Sequence, residues 1–91
     1  MEQLKTIKEL INQGDVAEAI RQLDEYLITD STDRDEAFYL LGNAYRKQGN
    51  WQLALNNYQY AIDLNPDSPA REAYRMAIST LNIINKDMYN Q

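Results

Sequence analysis

The sequence predicts an all-α fold of five helices, arranged as two helix–turn–helix hairpins stacked in an α-α superhelix and closed by a capping helix. Three observations carry this. Apolar residues recur at helical spacing along almost the whole chain. Gly14, Gly49, Asn65-Pro66 and Ser68-Pro69 cut that pattern into separate helical stretches. Strand signals are nearly absent: valine occurs once, at Val16, and no stretch alternates apolar and polar residues between hairpin turns. At 91 residues there is room for a single domain.

The first helix is expected from about Glu2 to Gln13, with Leu4, Ile7, Leu10 and Ile11 on one stripe, and a stop at Gly14. Asp15 reads as an N-cap, with Glu18 at the spacing of a capping box. The helix it opens turns Val16, Ala19, Ile20, Leu23 and Leu27 inward and ends near Thr29. Residues 30–35 form a polar linker, in which Asp33 and Glu36 repeat the capping-box spacing. Phe38, Leu41, Ala44 and Tyr45 make the stripe of the third helix, which ends at Gly49. Asn50 caps the fourth, whose inward set is Trp51, Ala54, Leu55, Tyr58, Ala61 and Ile62, before Asn65-Pro66 breaks it. Ser68-Pro69 joins an N-cap to a proline at the first helical position. The fifth helix then runs toward Met88, with Ala73, Ala77, Leu81, Ile84 and Met88 on one side and Arg71, Arg75, Asn82 and Lys86 suited to the outer side.

Gly14 and Gly49 lie 35 positions apart, and superposing them pairs Asp15 with Asn50, Val16 with Trp51, Ala19 with Ala54 and Leu23 with Tyr58. A helix–turn–helix repeated at this period means stacked hairpins rather than a closed bundle. Phe38, Leu41, Gly42, Tyr45, Ala54, Tyr58, Ala61 and Pro66 stand at the spacings of the tetratricopeptide repeat, which the second unit resembles. Gly42 and Ala54 are small where two helices cross, and Tyr45 and Tyr58 fill the space beside them. The first unit keeps Gly14, Ala19 and Leu23, but has Ile7 in place of Gly42, Tyr26 in place of Ala61 and Ser31 in place of the closing proline. The units are expected at about 2–32 and 33–66, with the capping helix at about 68–89, all in one domain.

Composition narrows the chemistry. There is no His and no Cys, which removes imidazole acid–base catalysis, thiol nucleophiles, disulfides and nearly every zinc site. The net charge of −5 argues against nucleic acid and anionic lipid as partners. The adjacent pairs Asp24-Glu25 and Asp35-Glu36 diverge around a helix, unlike the facing carboxylates of a hydrolase. Residues 30–35 lack the central Gly and the distal Glu of a calcium loop, and no Gly-rich phosphate loop occurs. No catalytic group, cofactor or metal is therefore expected. The amino-terminal stretch does not read as a signal peptide, and the longest apolar run, Phe38 to Leu41, is far short of a membrane span. The expected setting is cytoplasmic.

The resemblance implies an adaptor that holds a peptide or helix in a groove lined by the first helix of each hairpin. It assigns Glu36, Tyr39, Asn43, Arg46 and Lys47 of the second unit to that groove, and Leu4, Lys8, Ile11 and Asn12 of the first. Arg71, Tyr74, Arg75 and Ile78 of the fifth helix would close it. Because Lys5, Lys8, Arg46, Lys47, Arg71 and Arg75 fall on these helices, the groove is expected to be locally basic and to favour acidic ligands. Trp51, Tyr45 and Tyr58 are assigned to packing. Self-association through groove or cap, as a weak homodimer, is the alternative, and an enzyme built on carboxylate or Tyr a more distant one.

Overall fold

A computed structural model describes residues 2–30 and 32–89, and side-chain surroundings up to residue 83. The expected contacts of Ser31, Ile84, Lys86 and Met88 lie outside that description. Among the described residues, five helices follow in order: α1 (Glu2–Gln13), α2 (Val16–Thr29), α3 (Arg34–Lys47), α4 (Trp51–Leu64) and α5 (Ala70–Tyr89). They stack along one direction, giving extents of 46 × 28 × 18 Å.

The two hairpin turns have the same construction. Gly14 (φ 93°) and Gly49 (φ 78°) adopt the left-handed conformation that other residues resist. Each turn closes with a pair of backbone bonds. Gly14 N–H donates to Ile11 and Asp15 N–H to Leu10, while Gly49 N–H donates to Arg46 and Asn50 N–H to Tyr45, at 2.9–3.1 Å. This is the Schellman pattern, which satisfies the last carbonyls of α1 and α3.

Two of the helix starts depart from expectation. Asp15 precedes α2 but makes no side-chain cap bond; its carbonyl accepts from Ala19 at 3.1 Å. Glu18 does not complete a box, because the Arg21 guanidinium at 2.6 Å and the Gln22 amide at 2.8 Å engage its carboxylate. Asp33 sits in the left-handed region (φ 49°), outside the extended backbone a cap needs, and its side chain also makes no cap bond. Asp30 organises this linker instead, accepting from the Thr32 amide at 2.8 Å and hydroxyl at 2.7 Å. Asn50 and Ser68 cap as expected, accepting from Leu53 N at 3.3 Å and Ala70 N at 3.0 Å.

The interior is continuous through the stack. Leu4, Ile7, Ile11, Ala19, Leu23 and Tyr26 pack with Leu40, Leu41 and Ala44 of α3. Ala54, Tyr58, Ala61, Ala70 and Ala77 carry the core on to α5, with Phe38, Tyr39 and Tyr45 touching both clusters. At the first joint Tyr26 stands where the second unit has Ala61. It is fully buried, and its hydroxyl donates to the Thr32 carbonyl at 2.8 Å. Arg34 adds a second tie, donating to the Leu27 carbonyl at 2.8 Å while stacking over Phe38. A linker without proline is thus fixed by side chains.

Candidate functional site

Gly42 sets the geometry of the site. A Cβ there would come within 3.0 Å of Tyr58 Cγ and closer still to Cδ1 and Cε1. Its absence lets α4 press the Tyr58 ring against α3. The ring is fully buried, and its hydroxyl meets two polar side chains of α3. It donates to Asn43 Oδ1 at 2.6 Å and accepts from Arg46 Nε at 3.3 Å. Burial pushes the Tyr58 hydroxyl above the ordinary tyrosine pKa, against a smaller opposite pull from Arg46. At neutral pH it is a fixed donor. Asn43 thereby keeps its amide N–H groups available, and Arg46 keeps the outer nitrogens of its guanidinium.

Asn43 and Arg46 open into a hollow of about 410 Å³, whose other walls include Tyr39, Trp51, Ala73 and Met76. A second hollow of similar volume adjoins it, sharing Tyr39 and Pro69 and extending to Lys8, Asp33, Asp35 and Glu36. Together they form a groove bounded by α1, α3 and α5. Met76 is 61% exposed, so the walls present apolar surface to solvent. Asp35 is held by the Asn65 amide, whose Nδ2 donates at 3.0 Å.

The groove gathers Lys8, Glu36, Tyr39, Asn43 and Arg46 from among the residues assigned to it by sequence. Lys47, Arg71 and Arg75 are exposed but do not line either hollow, and Arg75 is ion-paired with Glu72. Tyr74 is half-buried against the α4–α5 core. Leu4 and Ile11 are core residues, not groove residues, because the face of α1 that carries them packs on α2 and α3. Sequence reasoning missed Trp51, Met76, Asp33 and Asp35 as lining residues. Trp51 packs on the core and lines the groove at once. The signal for Met76 lay in its place one helical turn beyond Ala73. No signal marked the 15-residue link from Tyr58 to Asn43.

The class of protein follows from this architecture: stacked helix hairpins with a concave face. The tetratricopeptide repeat model matches residues 35–68, and the chain belongs to the tetratricopeptide repeat family. It is 41% identical over 61 residues to the photosystem I assembly protein Ycf3 of Synechococcus sp. (strain CC9902), covering 65% of this chain and 35% of that protein. It is 35% identical over 72 residues to the cell division cycle protein 27 homolog of Caenorhabditis elegans, covering 79% of this chain and 8% of that protein. The chain therefore spans about a third of the first relative and a small part of the second. A solution NMR structure of a Bacteroides fragilis protein superposes with a TM-score of 0.89 at 65% identity, covering 100% of this chain and 92% of that one. The family match supports a protein–protein interaction role. Among the described residues, no helix is long and apolar enough to cross a membrane.

Proposed function

We propose that this chain is an adaptor whose groove holds a peptide or helix of a partner protein. The observation that carries the reading is the Tyr58 hydroxyl, which fixes Asn43 and Arg46 on an open wall beside the apolar Tyr39, Trp51, Ala73 and Met76. Donors held before a ligand arrives lose little freedom on binding, which raises affinity. Lys8, Tyr39, Asn43 and Arg46 are the contact residues, with Lys47, Arg71, Tyr74 and Arg75 at its margins. Acidic groups of the ligand fall to Arg46, because among the described residues no carboxylate pairs with it. No step of chemistry is assigned to the site.

The test is affinity capture from native extract with the wild-type chain, Tyr39→Ala, Arg46→Glu and Tyr60→Ala, each checked for helical circular dichroism. Loss of the same captured proteins with the first two variants, and retention with Tyr60→Ala on α4, is the expected result. Retention with all three variants would exclude the groove. Self-association is favoured by a separate observation, the exposure of Met76 (61%) and Ile83 (64%) on α5. It predicts a mass in sedimentation that rises with concentration and falls in Ile83→Ser.

A further inference from the structure

The groove carries its charges in an order. Around the amino-terminal end of α3, Asp33, Asp35 and Glu36 face a single cation, Lys8. Toward the carboxy-terminal end, Arg46 is the charge that remains, since Glu72 on the same hollow is paired with Arg75. Among the described residues, none of Lys8, Asp33, Glu36 and Arg46 has an ion-pair partner. Acidic first turns and basic last turns suit a helix dipole, and α3 has both. Because α3 forms the floor of the groove, the groove inherits that polarity. The apolar wall of Tyr39, Trp51, Ala73 and Met76 lines the hollow that holds Arg46, and its Tyr39 also borders the acidic end.

Resting on the adaptor reading, we infer that the groove's occupant is a partner-protein segment of mixed charge: a large apolar side chain with a cation on one side and a carboxylate on the other. The apolar group seats against Tyr39, Trp51 and Met76, the cation meets Glu36 and Asp33, and the carboxylate meets Arg46 and the Asn43 amide. Glu36 and Arg46 are separated along α3 by about 15 Å at 1.5 Å per residue. An extended ligand spans that distance in roughly four or five residues, and a helical one in roughly ten. A uniformly acidic segment is repelled at one end, and a uniformly basic one at the other.

The experiment selects a displayed random peptide library against the full chain, then measures recovered peptides by emission from Trp51, the single tryptophan. Peptides with opposite charges flanking an apolar residue are expected to dominate. They should bind about two- to fivefold more tightly for each matched charge than their uniformly acidic or basic counterparts. That margin should shrink in high salt. Arg46→Glu should move the preference to uniformly basic peptides, and Glu36→Lys with Asp33→Lys to uniformly acidic ones. Recovered peptides that change Trp51 emission but show no mixed-charge preference would overturn this inference and keep the adaptor reading. Peptides that leave Trp51 emission unchanged, or an empty selection, would overturn both.

Discussion

Gly42→Ala probes the contact on which the groove wall depends. In an open helix this change stabilises by about 1 kcal/mol, because alanine loses less backbone freedom than glycine. Here the new methyl would strike three carbons of the Tyr58 ring rather than the end of a flexible chain. The ring has little room to retreat, being fully buried and tied at its hydroxyl to Asn43 and Arg46. Overpacking of this kind costs about 1–3 kcal/mol, more when the neighbour is rigid. We expect a net loss of roughly 1–2 kcal/mol after the propensity gain. For a domain of this size each 1 kcal/mol lowers Tm by about 4–8 °C. Urea and thermal unfolding followed by circular dichroism measure the loss. In a Tyr58→Leu background the penalty should shrink, a coupling of about 0.5–3 kcal/mol between touching residues. A Gly42→Ala protein as stable as the parent, or more stable, would refute the reasoning.

Asn50→Ala should cost about 1 kcal/mol in urea unfolding, because its side chain caps α4. Asp15→Ala, whose side chain makes no cap bond, should stay within about 0.5 kcal/mol of the parent. Tyr26→Phe should lower stability by about 1 kcal/mol and speed exchange of the linker amides, since it removes only the hydroxyl bond to Thr32. Arg21 beside Glu18, with help from Gln22, holds the Glu18 carboxyl down at about 2. A lowered carboxylate favours folding above the ordinary glutamate range, and that contribution fades as pH falls toward 2. Carboxyl NMR titration should place Glu18 back near the ordinary range in Arg21→Ala.

The helices were legible because each carries its own stripe and its own punctuation. Gly14 and Gly49 mark turns whose chemistry is local, and the eight repeat positions from Phe38 to Pro66 encode how two helices cross. Capping was legible only in part. Asp15 and Asp33 have the right residue type, but Glu18 finds a stronger partner in Arg21, and Asp33 lies in a left-handed bend set by the linker. The groove was the least legible feature. Lys8, Tyr39, Asn43 and Arg46 were placed by register, whereas the walls from Trp51 and Met76 depend on how α4 and α5 lean over α3. The same lean half-buries Tyr74 against the α4–α5 core, whereas register alone turned it into the groove. The charge balance was misleading for a related reason: cations counted by helix include Lys47, Arg71 and Arg75, which the hollows exclude, while the linker acids fold into the rim.

The central claim is that the concave face between α1, α3 and α5 holds the partner protein. Hydrogen exchange of backbone amides, compared in the free chain and in the complex with a captured partner, tests it most directly. New protection is expected along α3 around Tyr39 and Asn43 and along α5 around Ala73 and Met76. Protection confined to the outer helices, at Ile28 on α2 and at Tyr60 and Leu64 on α4, would contradict it.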